Sequence, residues 1–534
     1  MTNNPAGMPQ PPGLSAPVQV HLALGHTVST MSVAWSTYDR SAPAAGSVEW
    51  SATEDMAKIS TNPADMRPFT MDAGRTWYTH TANMTGLSPL TRYWYRVRSA
   101  SNESSKVFSF ETMPDVSTLP TSLPELHLIY GDMGASDAFT LCSACTGHSH
   151  VCDVSTCATA NQSAGLIAEV AGTTAEGIRA KHIVHTGDFA YNLQDGGGTV
   201  GDQFMVNIEQ VAANIPYMVS VGNHENSAGN LAHFTERFRH MPSNSGTVST
   251  ANKPSDAPNN WYFSWDAGLV HYIAISTELY FGVKSTNPDD DGSLAKQFAW
   301  LEADLEKAQL NRKNVPWIVI HGHRSIYCSC DGDCDGAANT VRDGVDGKYG
   351  MEDLMFKHGV DFFINGHEHD YERSWPVYKS KSDQSNVDPK GTIYVVTGAA
   401  GSSELHEPFT RQQPEWSAYR SNTFGYSRMH IHNNTHLHWQ QVQTDPTLFG
   451  PGLYGRVIDD AWVVQHNHGP FDATDAPSGK CPAAGCGPGV SYDHWLPLLN
   501  LTAAEVGNTG HAGTLFAGKE YELIEKYRQL NGGM

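Results

Sequence analysis

His182-Ile-Val-His-Thr-Gly187-Asp188-Phe189-Ala190-Tyr191 is an apolar run that stops at a glycine and turns polar. Its first half reads as a buried strand, because a short apolar run bounded by a turn signal suits a strand packed on both faces. Four further segments repeat the pattern. Leu128-Ile-Tyr leads into Gly131-Asp132-Met133-Gly134, and Met218-Val-Ser-Val into Gly222-Asn223-His224-Glu225. Trp317-Ile-Val-Ile leads into His321-Gly322-His323-Arg324, and Phe362-Phe-Ile-Asn into Gly366-His367-Glu368-His369. In an α/β sheet, ligands bind beyond the carboxyl ends of the strands. The five segments therefore bring Asp, Tyr, Asn and His side chains to one edge. A glycine in each motif lets the chain turn sharply and leaves room for close approach.

Around these strands the texture is mixed. Leu294, Phe298, Leu301, Leu305 and Ala308 fall three or four apart and predict an amphipathic helix. Trp261–Asp266 and Leu269–Ser276 predict a hairpin, with further strands at Thr392–Thr397 and near Met429–Val442. Strands alternating with helices imply a largely parallel or mixed sheet covered on both faces. Residues 17–114 read differently. Short alternating runs at Val18–Leu24, Met31–Trp35 and Thr91–Val97, separated by Ser, Pro and Gly, predict a β-sandwich of fibronectin III or immunoglobulin style. This domain holds no cluster of ionisable residues and is read as a structural or docking module. Residues 120–468 form the expected catalytic domain. Residues 469–534 are an extra tail of unknown role, Gly- and Pro-rich, with an amphipathic helix near Ala517–Leu530.

Net charge is −22 over 534 residues. Such a surface repels nucleic acid and anionic membranes, so neither is an expected partner. No apolar run is long enough for a membrane-spanning helix. Nothing bears on oligomeric state. The 9 Cys fall in groups at Cys142, Cys145, Cys152 and Cys157, at Cys328, Cys330 and Cys334, and at Cys481 and Cys486. Disulfides within the first two groups are expected, with structural zinc on the first group as the alternative. Glycosylation sequons occur at Asn83, Asn102, Asn161, Asn433 and Asn500. Met1–Ser15 lacks the basic and apolar features of a secretory leader. Cysteines and sequons nonetheless point to a secreted or lysosomal/vacuolar-like protein. The 26 His exceed what a core needs, and several cluster in ways that suggest metal.

Carboxylate, phenolate and carboxamide oxygens are hard donors, while imidazole suits Fe, Zn and Mn. Two Asp, a Tyr, an Asn and three His are too many for one ion with open positions. They fit two ions about 3.5–4 Å apart with one bridging carboxylate.

The series GDMG, GDFAY, GNHE, I-x-G-H and GHEH resembles that of the purple acid phosphatases, binuclear members of the metallophosphoesterase superfamily. The stretches 187–225, 261–281 and 366–376 (GHEHDYERSWP) are similar to the family's animal-type branch, and the resemblance spans about residues 17–468. It implies a fibronectin III-like sandwich followed by a metallophosphoesterase αβ sandwich domain. It also implies an acid phosphatase that hydrolyses monoesters of small phosphorylated substrates by means of a hydroxide held between the ions.

Carried over residue by residue, Asp132, Tyr191 and His369 would hold Fe(III), and Asp188 would bridge. Asn223, His323 and His367 would hold a divalent ion, Zn, Fe or Mn. His323 is preferred over His321 because the family's ligand directly precedes Arg or Ser, with a Tyr after it, here Arg324 and Tyr327. His224, beside Asn223, is the expected catalytic proton donor.

The sequence departs from the family in the loop Cys328–Lys348, which contains no His and is rich in Asp and Cys. That leaves open a phosphodiesterase or nucleotide pyrophosphatase on the same metal core. A rival of another class is a secreted binding protein whose metal site is structural. Two Asp-rich stretches, 287–292 and 331–336, mimic the start of a calcium loop but lack the Glu at position twelve, and are read as solvated. Glu225 is read as supporting the site and Glu278 as surface, while Glu372 and Arg373 are read as holding their loop in an ion pair.

Overall fold

The computed structural model describes residues 14–479 except 40–43, 71–74, 118–123, 136–153, 173–177, 227–230, 245, 251–252, 288–289, 336–338, 403, 405 and 445–454. The side chains of the first cysteine group and of Asn161, together with Cys481, Cys486, Asn500 and the helix expected at Ala517–Leu530, lie outside the described residues. Asn83 and Asn102 are exposed and Asn433 is half-buried.

Two four-stranded antiparallel sheets make the N-terminal sandwich. Its strand Arg92–Arg98 alternates strictly, with Tyr93, Tyr95 and Val97 buried and the residues between them half-buried. The inward set meets Trp35, Val48 and Phe110 in the core. The sandwich docks on the helix Asp195–Ala212, which follows the Tyr191 loop. Glu209 accepts from the Val20 N–H at 2.9 Å, and the Tyr95 hydroxyl donates to the Ala213 carbonyl at 2.7 Å. Fully buried Asp202 accepts from Arg237 at 2.9 Å and also pairs with Arg75 of the sandwich.

The remainder is an αβ sandwich of two mixed sheets, so the motif strands do not lie in one sheet. Tyr217–Val219, Ala180–His185 and Glu125–Tyr130 run parallel in a six-stranded sheet. Trp317–His321 and Phe362–Asn365 run parallel in a seven-stranded sheet. Side-chain alternation gives each strand one face toward the other sheet and one toward the covering helices. Trp317 and Val319 join Leu128, Tyr130 and Trp439 in the core between the sheets. Ile318 and Ile320 face the other way, onto Leu301, Leu305 and Met355 of the covering helices. Both faces of every such strand are apolar, so a continuous apolar run does not reveal which sheet it enters. Among the described residues no helix is long and apolar enough to cross a membrane.

Several of the histidines that suggested metal belong to this inter-sheet core. His182 packs edge-on against His127, Trp265 and Tyr272 at 4.2–6.3 Å. It is fully buried and neither ring nitrogen is hydrogen-bonded. Burial, then His127, pushes its imidazole well below the ordinary value of 6.5. The folded state therefore keeps His182 neutral while the unfolded chain protonates it as pH falls. Its contribution to stability is present above about pH 6.5 and is lost below, at up to about 1.4 kcal/mol per pH unit. His182→Phe keeps the aromatic packing and should remove that slope from urea-unfolding free energies measured between about pH 6.5 and 5. A slope equal to that of the parent protein would refute the assignment.

Candidate metal centre

The seven residues picked out by the strand-end motifs come together from both sheets. The Tyr191 hydroxyl donates to Asp132 Oδ1 at 3.1 Å and lies 3.0 Å from His369 Nε2, which is 3.6 Å from Asp132 Oδ1. Beside this trio, His323 Nε2 lies 3.1 Å from Asp188 Oδ2 and 2.9 Å from Asn223 Oδ1. Asp188, His323 and His367 present donor atoms all within 4.8 Å of one another, a grouping that could hold a metal ion. His323 Nδ1–H donates to the Thr186 carbonyl at 2.9 Å, which fixes the ring with Nε2 facing the cluster. His321 is not brought there. It ends the strand Trp317–His321 and, on the face of Trp317 and Val319, turns into the inter-sheet core against Trp265 at 5.5 Å.

Glycines make this convergence possible. A Cβ on Gly222 would stand 2.2 Å from Asp188 Oδ1, and one on Gly366 would stand 2.1 Å from Asp132 Oδ2. Asp132, Asp188, Tyr191 and His367 have φ of 62°, 54°, 50° and 72°, a left-handed conformation costing an L-residue about 1–2 kcal/mol each. Such strain persists where the surroundings over-determine it. Here the surroundings include buried Glu225, which accepts from the N–H groups of Asp188 and Gly222 at 2.9 Å and of Phe189 at 3.1 Å. One carboxylate thus locks two motif loops together.

The electrostatics favour positive charge. Burial alone would push the His323 imidazole down, yet Asp188 and then Asp132 carry it up to about 10. Against its own burial, Asp188 is held well below the carboxylate range by His323. Burial, then Asp132 and Asp188, push the Tyr191 phenol well above its ordinary value.

The residues around the cluster amend several expectations. Glu278 is not a surface group. It is buried and accepts from Arg324 Nε at 2.8 Å and Nη2 at 3.3 Å, while the guanidinium covers the Phe281 ring at 4.2 Å. Arg324 Nη1 thereby sits 3.0 Å from His367 Nε2. Arg373 does form an ion pair, but with Asp459 at 2.7 Å rather than with Glu372, which accepts from Ser329. Neighbours on a strand point to opposite faces and cannot pair. Asp333 is exposed, yet its carboxylate lies 3.0 Å from His367 Nε2.

Sequence reading missed the loop after strand Ile393–Thr397. Glu404 lies 3.5 Å from His224 Nε2, and Glu407 contacts the His369 N–H and its ring. The signal was present, since this strand also runs into a glycine, Gly398, where a Cβ would stand 2.9 Å from Asp132 Oδ2. His224 itself has its Nδ1 2.6 Å from Asn192 Oδ1; a carbonyl oxygen only accepts, so Nδ1 carries the proton. Its backbone N–H donates to Asp188 Oδ1 at 2.9 Å.

If Glu225 holds the two loops in register, Glu225→Gln, which puts an amide donor against an N–H donor, should destabilise the fold by about 1–3 kcal/mol. Turnover of an aryl phosphate should fall by roughly 10–100-fold through misplacement of Asp188. Unfolding and rate measurements on one preparation check both, and normal turnover would exclude the positioning role.

Three family models match in chain order: "Purple acid Phosphatase, N-terminal domain" at residues 17–112, "Calcineurin-like phosphoesterase" at 129–371, and "Iron/zinc purple acid phosphatase-like protein C" at 391–449. Acid phosphatase type 7 of Mus musculus is 35% identical over 460 residues, 84% of this chain and 91% of the mouse protein. The Homo sapiens protein of that name is 34% identical over 470 residues, with the same coverage. A purple acid phosphatase from yellow lupin (Lupinus luteus) seeds has a similar fold, with a TM-score of 0.65 and 22% identity over 88% of this chain and 77% of its own. The match to relatives over nearly their whole length, through sandwich, phosphoesterase core and C-terminal segment alike, makes this chain a member of the purple acid phosphatase family and a phosphoester hydrolase.

Proposed function

We propose that the protein is an acid phosphatase that hydrolyses small phosphate monoesters at a binuclear Fe(III)–M(II) centre, M being Zn, Fe or Mn. Family membership implies a binuclear centre containing iron. The donor chemistry fits it: Asp132, Tyr191 and His369 form a hard set suited to Fe(III), and Asn223, His323 and His367 a mixed set suited to a divalent ion. Asp188, within 3.1 Å of His323 and bonded to the His224 N–H, is the bridge in this reading. When bound, the ions supply Lewis acidity to the phosphoryl group and to the attacking water. The observation that carries the proposal is the convergence of these donors beside a phenol that its surroundings keep protonated, so that phenolate character there demands a strong cation.

The remaining work falls to the chain. With Nδ1–H held by Asn192, His224 turns Nε2 towards Glu404 at 3.5 Å and Asp188 Oδ2 at 3.8 Å. Its ring is packed on Tyr191 at a centroid distance of 4.4 Å. Nε2 is the ring nitrogen that would pass a proton to the leaving oxygen. Arg324, fixed by Glu278, places a guanidinium beside His367 where a phosphate oxygen can be received. Asp333, at the same spot, favours a second reading. A carboxylate there disfavours a dianionic monoester relative to a monoanionic diester, so phosphodiesters and nucleotide pyrophosphates are the alternative substrates.

The purified protein should contain two metal ions per chain, one of them iron, and be coloured, and Tyr191→Phe should abolish the colour while keeping the fold. A colourless protein with two zinc ions would overturn the Fe(III) assignment. Parallel monoester and diester assays, with Asp333→Asn, decide substrate class. His224→Ala should lower kcat on poor leaving groups by about 10²–10⁴-fold, less on good ones, with metal content unchanged. Near-normal turnover of a poor leaving group, or loss of metal, would exclude His224 as the proton donor.

A further inference from the structure

Glu368, Asp370 and Glu372 alternate along the GHEHDYE segment and are all buried, at 2%, 0% and 2% exposure. Alternation turns them away from the face where Tyr371 and Arg373 meet Asp459. Their own face meets the loop Cys328–Cys334, which carries three of the cysteines. Glu372 is satisfied there by the Ser329 N–H and hydroxyl, both at 2.6 Å. The other two are not. Among the described residues Glu368 has one side-chain hydrogen-bond donor, the Cys330 thiol at 3.0 Å from Oε2; Cys328 Sγ, tied up in the disulfide, carries no proton and lies 4.0 Å from Oε1. No nitrogen or hydroxyl donor reaches either oxygen of Asp370, which has the Cys330 thiol beside it. Carboxylates buried with so little compensation are costly unless a proton or a cation is supplied.

The sulfurs gather at the same point. Cys328 and Cys334 are joined in a disulfide, and the buried free thiol of Cys330 lies 3.2 Å from Cys334 Sγ. Cys328, Cys334 and Glu368 present donor atoms within 4.8 Å of one another. Tetrahedral zinc, with Zn–S near 2.3 Å and Zn–O near 2.0 Å, sets sulfurs about 3.8 Å apart and sulfur about 3.5 Å from oxygen. The sulfur–oxygen contacts at 3.0 and 4.0 Å bracket the second value, and the Cys330–Cys334 sulfur contact at 3.2 Å is shorter than the first. The loop is also held in place. Its Asp331 N–H donates to the Pro408 carbonyl at 2.9 Å, and a Cβ on Gly332 would stand 2.0 Å from Glu368 Oε2, so glycine is needed for this approach.

The geometry points to a second metal site, apart from the strand-end centre: with the Cys328–Cys334 bond reduced, Cys328, Cys330, Cys334 and Glu368 bind one zinc-class divalent cation. A dithiol supplies the two electrons and two protons and becomes its own disulfide, whereas a phosphine supplies the two electrons and becomes the phosphine oxide, with the oxygen and both protons taken from water; either yields two thiols. Binding the ion then releases the protons of the three thiols as their sulfurs become ligands. The oxidised form holds the same loop by the disulfide, so the two states are alternative closures of one ring.

The test uses the full-length protein, treated with a phosphine under anaerobic conditions, incubated with cobalt(II) and dialysed, beside an unreduced sample. The reduced protein should retain one more cobalt per chain than the unreduced one, with an intense near-ultraviolet sulfur-to-metal charge-transfer band. Cys330→Ser should lose both the extra ion and the band, and Cys328→Ser serves if that variant does not fold. The variants decide the matter because the other six cysteines are also reduced. No additional ion in the reduced parent protein, or an undiminished band and ion in the variant, would overturn the site.

Discussion

Asp132 and Asp188 put carboxylate oxygens where a Cβ of Gly366, Gly398 or Gly222 would otherwise stand, at 2.1, 2.9 and 2.2 Å. This close approach is what the rest of the site depends on. It needs residues without side chains on the facing loops, and it needs the aspartates themselves in a left-handed conformation. It also buries two negative charges within reach of imidazoles and a phenol from the facing strand ends. The consequences are electrostatic: an imidazole is held protonated, a phenol is held neutral, and a cation is favoured between them.

The scaffold supplies the rigidity that such crowding requires. Two sheets share one core, so the strand ends that carry the motifs are set by packing on both faces. The core includes histidines kept neutral by burial, which makes it sensitive to acid. The N-terminal sandwich adds a buttress. It grips the helix that follows Tyr191 through the Val20–Glu209 and Tyr95–Ala213 hydrogen bonds and the Arg75–Asp202 ion pair, and so bears on the loop that presents the phenol.

Much of the site is legible in the sequence because strand-end chemistry is local. Apolar run, glycine and donor sit within a few residues, and the choice of His323 over His321 rests on the residues that follow it. Other features are not local. Glu278 reads as a surface acid until Arg324, 46 residues later, is seen against it. Glu404 and Glu407 follow a sixth strand with the same apolar-run-to-glycine signature, but carry no metal-type spacing to attract notice. Glu368 and Asp370 lie between and beside proposed ligands, and nothing in their order says that the cysteine loop covers them.

By itself, the sequence determined the element types, the glycine turns and the set of donor side chains, because each depends on neighbours in the chain. Alternation along a strand also sends successive residues to opposite faces, which rules out the Glu372–Arg373 pair that their charges suggest. Only the tertiary structure decided which sheet each strand joined, which histidines met metal-type donors and which met the core, and which carboxylates found partners. Alternation says that a residue has a face but not what that face will meet, and burial, charge pairing and ligand geometry are properties of the meeting.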